Sequence, residues 1–589
     1  MALGLQMGLA GGEGVGGFSV TNSLVRSEAS GDKYLGPDVS GCYISTTGEH
    51  VIGYRRSAAH TGAADIYITK SPSGAGSWET PIKVFDRATS GGDPDEGRHF
   101  FPSFNGTTLY GTTDIDVDDT DSNYQPTLFT STDEGDTWDS VTLLALDAES
   151  SGLCFGPVIF MDSAWFIPGK RGSEMGGWRS TNSGSSWAWV AAIASTNYTE
   201  NYCAILPDDD AFAGALMMSL RRSTTTTASF RDTMLSFDEG ATWHRYVQSG
   251  NVTQTGVINS AHPAFFPAGG GLLLACSRAE DSAATRSLIA SVDHGANWDE
   301  IDLDTSGLTF EGAGFYRAGG STIFMPHGLQ EDASNCDLYM AQISNPASAA
   351  TAPIAPDLSV AKFALLTPPA SGAVSAITDE GVDGLTITPT GLAGVATTLE
   401  GLSNAYQSDT VGDGLTAGAV TDLNLLHDGS QFTMAALVKV PNVNGYYSIM
   451  ASNGRAKANN GIWFALDNRA ATGGSANLLW LLRKDESGGG IGSGNHAVAG
   501  AYSYDKWFWV CLVHDGTLEN GSWKIYVNDE LIASPTTTLD ATTGSSFQVP
   551  TIGINGNDSS GNLRSMVILP SALSGAALAG LRQRMWQDT

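Results

Sequence analysis

The feature that most narrows what this 589-residue chain can fold into is an octapeptide, Ser-x-Asp-x-Gly-x-x-Trp, that returns in phase along its first half. Full copies are Ser131-Thr-Asp-Glu-Gly-Asp-Thr-Trp138, Ser236-Phe-Asp-Glu-Gly-Ala-Thr-Trp243 and Ser291-Val-Asp-His-Gly-Ala-Asn-Trp298. Ser180-Thr-Asn-Ser-Gly-Ser-Ser-Trp187 exchanges Asp for Asn, and Ser71-Pro-Ser-Gly-Ala-Gly-Ser-Trp78 has lost the Asp. Each copy reads as a turn with a mechanism. The carboxylates of Asp133, Asp238 and Asp293 fold back onto backbone N–H groups, and the glycine takes a positive φ. Trp138, Trp243 and Trp298 pin the hairpin onto a neighbouring strand.

The copies begin at residues 71, 131, 180, 236 and 291, so successive starts are 49 to 60 residues apart. That length holds about four short strands with their turns. Alternating runs such as Asp65-Ile-Tyr-Ile-Thr-Lys70, Thr127-Leu-Phe-Thr130 and Ser287-Leu-Ile-Ala290 lead into the boxes, which makes them the third strand of each unit. After the last box, Gly314-Phe-Tyr-Arg317, Ser321-Thr-Ile-Phe-Met325 and Leu338-Tyr-Met-Ala-Gln-Ile343 supply strands for one more unit without a box. Six repeating all-β units follow.

The chain exceeds the roughly 250 to 300 residues at which one core stops growing, so a second domain is expected. Asn345-Pro-Ala-Ser-Ala-Ala-Thr-Ala-Pro-Ile-Ala-Pro-Asp357 reads as the linker. Beyond it Phe432–Val440, Gly461–Leu466, Trp507–His514 and Trp523–Ile532 alternate as strands, and Ser571–Trp586 reads as one short helix. The expected division is a docking or flexible segment 1–20, repeats 21–345, a linker 346–358 and a β-sandwich 359–589. Thirty basic against 62 acidic residues give a net charge of −32, which repels nucleic acid and anionic membrane. The six cysteines have neither a disulfide-framework nor a metal-site spacing and read as buried thiols. No apolar run is long enough to span a bilayer, and Met1–Gly12 lacks the basic residues of an export signal.

The boxes resemble the Asp-box (BNR) repeats of sialidase-like six-bladed β-propellers. The resemblance implies that they are structural and lie at blade rims, with any chemistry on the inner strands. Sialidases clamp a carboxylate with three arginines and use a Tyr nucleophile raised by a Glu, with an Asp as acid/base. Where the family has Tyr-Arg-Ile-Pro this chain has Tyr34-Leu-Gly-Pro37, so Leu35 replaces the first clamp arginine. Arg55 or Arg56 ends the following strand. The next loop holds His60 as its only titratable group, and Asp65 starts the strand after it. Glu200-Asn-Tyr-Cys-Ala-Ile-Leu-Pro-Asp208 is similar to the family's Glu segment, Ser219-Leu-Arg-Arg-Ser223 to a clamp strand bearing Arg222, and Thr285-Arg-Ser-Leu-Ile-Ala-Ser291 to the one bearing Arg286. Glu311-Gly-Ala-Gly-Phe-Tyr316 stands near the nucleophile's place. The candidate catalytic residues are therefore Glu200, Glu311 and His60. Candidate glycan-binding residues are Arg55, Arg98, Arg222, Arg286 and Tyr316. His99 and His262, where inner strands begin, either line the centre or pack.

Lys506-Trp-Phe-Trp-Val-Cys-Leu-Val-His-Asp-Gly516 with Ser522-Trp-Lys-Ile-Tyr-Val-Asn-Asp-Glu-Leu531 resembles laminin-G/concanavalin A-like sandwiches, jelly rolls that bind sugars or proteins and sometimes calcium. No residue cluster has calcium-ligand spacing, and no cofactor is expected. The architecture implies a phage tail-fibre or tailspike-like receptor-binding protein, virion-borne or extracellular. It would engage host surface glycan, dock to other virion proteins through its N-terminus and assemble as a homo-oligomer, a trimer first. The alternatives are a secreted or virion-borne glycoside hydrolase and a purely structural virion protein.

Overall fold

The computed structural model describes most of residues 19–344 and 358–586; the longest stretches outside the description are 7–18, 28–34, 87–95, 117–123, 144–151, 248–263, 279–285, 302–308, 345–357, 397–403, 452–460, 468–477, 492–505 and 534–560. Two compact units are formed, one by residues 1–243 with 253–352 and the other by 244–252 with 353–589.

In the first unit six antiparallel sheets follow one another as blades. The first blade is Ser40–Ile44, Glu49–Ser57, Ala64–Ser71 and Ile82–Phe85. The second has Phe101–Phe104, Leu109–Asp116, Tyr124–Ser131 and Asp139–Leu143. The third has Gly152–Cys154 with Ile159–Phe160, then Trp165–Arg171, Glu174–Ser180 and Ala188–Ala194. The fourth begins Tyr198–Ile205, Leu216–Ser223 and Ser229–Ser236. The fifth has Phe265–Gly269, Leu272–Arg278, Arg286–Ser291 and Asp299–Ile301. The all-β propeller is as expected, and every third strand that precedes a box ends on the box serine: Ser71, Ser131, Ser180, Ser236 and Ser291. In the sixth blade Thr309–Ala313, Thr322–Asp332 and Asn335–Ser344 are completed by Ser19–Arg26, which pairs antiparallel with Asn335–Ser344. A strand from the chain's start thus closes the ring and covers an edge that would otherwise be open.

Phe101, Tyr202 and Phe265, from the inner strands of the second, fourth and fifth blades, are nearly fully buried, with ring centroids 6.5 and 6.1 Å apart in that order. Contact between non-adjacent blades means that aromatic side chains pack the centre there.

The boxes are built as their residues dictate. The Ser236 hydroxyl donates to Asp238 Oδ1 (2.9 Å) and accepts the Gly240 N–H (2.8 Å). Asp238 accepts the Thr242 N–H (2.8 Å) and hydroxyl (2.7 Å). Ser131, Asp133, Gly135 and Thr137 repeat the pattern, and the hydrogen bonds from Thr137 hold the Asp133 carboxyl down at about 2. Asn182 keeps the acceptor half, taking the Ser186 N–H at 2.9 Å, while its amide donates to the Ser186 hydroxyl at 2.8 Å. Left-handed backbone begins one residue before the glycine: Glu239 has φ 56° and Gly240 84°, and His294 has 56° before Gly295 at 89°. Trp243 is fully buried against Phe166 of the third blade, 5.4 Å between centroids. Trp138 meets Phe100 at 5.4 Å. Asp293 and Trp298 lie outside the described residues.

The residue ahead of the glycine also joins its box to the preceding blade. The Glu239 carbonyl accepts Arg179 Nε (2.8 Å) and its carboxylate the Ser163 N–H (3.0 Å). Glu134 accepts the Thr46 hydroxyl (3.1 Å), and Lys70 reaches Asp136 (2.5 Å). His294 Nε2 stands 2.8 Å from Asp210 Oδ1, both buried. In the degenerate first box the Gly74 carbonyl accepts Gln342 Nε2 of the sixth blade at 3.4 Å.

In the second unit, one sheet has Phe432–Lys439 between Gly561–Leu569 and Trp507–His514. Tyr446–Ala451, Gly461–Asp467 and Leu478–Lys484 form another. Met434, Ala436, Val438, Phe508, Val510 and Leu512 share a core with Tyr447, Ile449, Phe464 and Leu466. The other face of the first sheet receives the helix Gly575–Trp586, with Trp509 Nε1 3.3 Å from Met585 Sδ. Cover on both faces explains why Trp507–His514 is buried throughout and apolar up to Val513 rather than alternating. The run expected as one strand from Trp523 to Ile532 is a hairpin, Trp523–Val527 and Glu530–Ala533. The chain turns at Asn528, whose φ is 47° and whose amide oxygen accepts the Trp509 N–H at 2.9 Å.

Candidate functional site

Each box follows the end of a third strand, so the start of that strand, and the end of the antiparallel second strand beside it, lie at the opposite end of the blade. Charged residues gather there: Arg55 and Arg56 beside Asp65, Arg171 beside Glu174, Arg221 and Arg222 beside Arg231 and Asp232, and Arg278 beside Arg286. This open end holds the candidate site.

The fourth blade shows its chemistry. Arg221 Nη1 lies 2.7 Å from Glu200 Oε1, with side chains 25% and 20% exposed. Arg222 Nε lies 2.9 Å from Asp232 Oδ2, which also accepts the Tyr198 hydroxyl at 2.7 Å, and Asp232 is fully buried. The sequence reading named Arg222 as a glycan-binding arginine; the structure ties it to the buried Asp232, while Glu200 is paired with Arg221. Successive strand residues face opposite ways, and a bulge sets Tyr198 opposite Arg222 and Glu200 opposite Arg221. Arg222 therefore shares the face of Leu220 and Met218, and Arg221 that of Ser219. The alternation was visible in the sequence, but the bulge that decides which arginine meets Glu200 was not. Asp232 and Tyr198 carried no comparable signal. Arg231, also buried, reaches Ser219 Oγ (3.2 Å) and the Ala264 carbonyl (3.4 Å) of the fifth blade.

Elsewhere at the open end the described side chains are mostly packed. Arg55 is buried, its Nη2 3.4 Å from Ser57 Oγ, whereas Arg56 lies over the Tyr67 ring at 5.6 Å. Asp65 is held by Lys83 at 3.1 Å. His99 is packed: its Nε2 stands 3.2 Å from Asp114 Oδ2, its ring 4.7 Å from Phe101, and Asp114 Oδ1 accepts the Cys154 N–H at 2.7 Å. Leu35 is fully buried beside Tyr54 and Leu338, with its N–H donating to the Cys336 carbonyl at 3.0 Å.

Tyr316 corrects the expectation of a glycan-binding ring. It stacks on Phe324 (5.4 Å, 18°), and its hydroxyl lies 2.9 Å from His50 Nδ1. Burial pushes its phenol well above the ordinary range. His50 pairs with the box serine Ser71, so Tyr316 belongs to the box end, in the seam of the sixth and first blades. Arg286 and Glu311 are placed by backbone alone, opposite Arg278 and Gly328. His60, Arg98 and His262 lie outside the described residues. Among the described residues no group of three or more His, Cys, Asp or Glu side chains could hold a metal ion, and no helix is long and apolar enough to cross a membrane. The five described cysteines are buried free thiols.

Residues 52–316 match the BNR repeat-like domain, and residues 412–579 match the Concanavalin A-like lectin/glucanases superfamily. No curated protein matches. Similar solved structures include the Trypanosoma rangeli sialidase in complex with 2,3-difluorosialic acid, at 12% identity and TM-score 0.44 over 93% of each chain. A Dyadobacter fermentans protein of unknown function is 12% identical with TM-score 0.42, covering 55% of this chain and 98% of its own. The intramolecular trans-sialidase of Ruminococcus gnavus is also 12% identical, with TM-score 0.41, covering 54% and 96%. The propeller and sandwich rest on the strand pairing and the two domain matches.

Proposed function

We propose that this protein recognises a carbohydrate at the open end of its propeller, and holds it without cleaving it. The observation that carries this reading is how the described carboxylates of the fourth blade are engaged. Glu200 accepts an ion pair from Arg221, and Asp232 is buried between Arg222 and Tyr198. A glycosidase acid needs a carboxyl free to face the leaving oxygen, whereas Glu200 and Asp232 are each already engaged by an arginine. Arg221 has five donors in a planar fork and is partly exposed, which suits sugar hydroxyls or a sugar carboxylate.

The narrower form of the proposal is a virion receptor-binding protein, oligomeric, docked through its first residues and binding host surface glycan. Its support is the joining of a propeller to a lectin-type sandwich in one chain, and multivalent display would raise the avidity of weak sugar contacts. Sedimentation of the purified protein giving a trimer would support it; a monomer would remove it.

The test of recognition is titration with sialylated and other acidic oligosaccharides, with released sugar assayed in parallel. Binding without release is expected, and Arg221→Ala weakens it at least tenfold. Release of free sugar or new reducing ends would replace recognition with hydrolysis, and no binding at all would remove the open end as the site.

A further inference from the structure

Opposite each box serine stands one residue of its own blade's second strand: His50, Leu109, Trp165, Leu216 and Leu273. The next residues along are Val51, Tyr110, Phe166, Met217 and Leu274. Leu109, Leu216, Leu273, Val51, Phe166, Met217 and Leu274 are all fully buried, and His50 nearly so. Val51 shares a cluster with Leu109, and Phe166 with Leu216, so these side chains close the seams between blades.

The seam between the second and third blades is different. It is closed by Tyr110 and Trp165, both only half-buried, with ring centroids 5.4 Å apart at 76°. Phe160, also half-buried, completes a triangle at 5.4 Å from Tyr110 and 5.0 Å from Trp165. Val51 with Leu109, and Phe166 with Leu216, close the neighbouring seams with fully buried side chains; here three rings turn part of their surface to water. At the edge of the triangle Asn105, exposed, donates its amide to the Tyr110 hydroxyl at 3.4 Å. Asp162, exposed, sits in the turn that joins Phe160 to Trp165.

We propose that this triangle is a second carbohydrate site, on the box-bearing end, that takes a neutral pyranose unit of a polysaccharide. Aromatic faces carry negative quadrupole charge and attract the C–H face of a sugar ring. A few polar groups around an apolar floor then fix its orientation, here the Asn105 amide and the Asp162 carboxylate. Charge selects the class: the Asp162 side chain beside the triangle disfavours carboxylated sugars here. The site is separate from the open end, so its test does not depend on the arginines.

The experiment is titration of the full chain, followed by tryptophan fluorescence and calorimetry, with maltohexaose, cellohexaose, laminarihexaose, mannohexaose and chitohexaose. At least one is expected to bind. Trp165→Leu and Tyr110→Val, which install the residues that the other seams use, each weaken that binding at least tenfold. Asn105→Ala, at an exposed position that does not threaten folding, weakens it severalfold. Absence of binding to all five, or binding unaltered by Trp165→Leu and Asn105→Ala, overturns the proposal. So does a triangle whose substitution dissociates an oligomer and leaves sugar binding intact, because its occupant is then a second copy of the chain.

Discussion

The two ends of one blade are built from the same strands yet satisfy their polar groups in opposite ways. At the box end, Ser236, Asp238, Gly240 and Thr242 bond to one another within seven residues, and nearly the same pattern recurs around Asp133 and Asn182. At the open end, Glu200 meets Arg221, and Asp232 meets both Arg222 and Tyr198, across strands and differently in each blade. Local bonds make a repeatable structural part. Long-range bonds can be changed one blade at a time without losing the fold, which is where specificity has room to vary.

The largest effect should come from the box tryptophans. Trp243→Ala, which empties a fully buried site against Phe166, is expected to cost about 3–5 kcal/mol. Trp187→Ala, at a half-buried position, should cost less than half as much in the same urea titration. Equal costs would mean that the boxes do not differ in the way their burial indicates.

Arg222 and Arg221 sharpen the other end. Arg222→Ala takes the cation from the buried Asp232 carboxylate and is expected to destabilise by about 3–5 kcal/mol. Arg221→Ala breaks a partly exposed pair and should cost no more than about 1 kcal/mol. Denaturation that ranks them the other way would reassign the structural and binding arginines.

An effect that emerges only on acidification concerns the blade without a box. His327 Nε2 lies 3.0 Å from Asn22 Oδ1, linking the sixth blade to its closing strand, and burial lowers its pKa to about 3. A folded-state pKa below the unfolded 6.5 means that the unfolded chain binds the proton first. This contribution is whole above pH 6.5 and is lost as pH falls toward 3, at up to about 1.4 kcal/mol per pH unit. His327→Gln should flatten the stability profile between pH 6 and 4; an unchanged slope would place the acid sensitivity elsewhere, with His50, whose pKa burial also lowers, next to examine.

Much of the fold was readable because its signals are local. The box residues carry their own partners, so Asp238 and Gly240 announce a turn before any strand is placed, and the spacing of the boxes counts the blades. The site was less readable because it depends on which face a residue takes. Arg221 and Arg222 are neighbours in sequence, and a single bulge at Tyr198–Glu200 decides which of them meets Glu200. Tyr316 was nominated by its neighbourhood in the chain, yet its partner is His50, 266 residues away, at the other end of the blade.

The sequence by itself determined the all-β class, the six repeats, the turn chemistry of the boxes and the second domain, since each rests on residues within hydrogen-bonding or side-chain reach along the chain. Only the tertiary structure decided that Ser19–Arg26 closes the sixth blade, that Phe101, Tyr202 and Phe265 pack the centre, and that the seam at Tyr110 and Trp165 is left partly open. Those outcomes depend on contacts between distant strands, and no local pattern carries the register that brings them together.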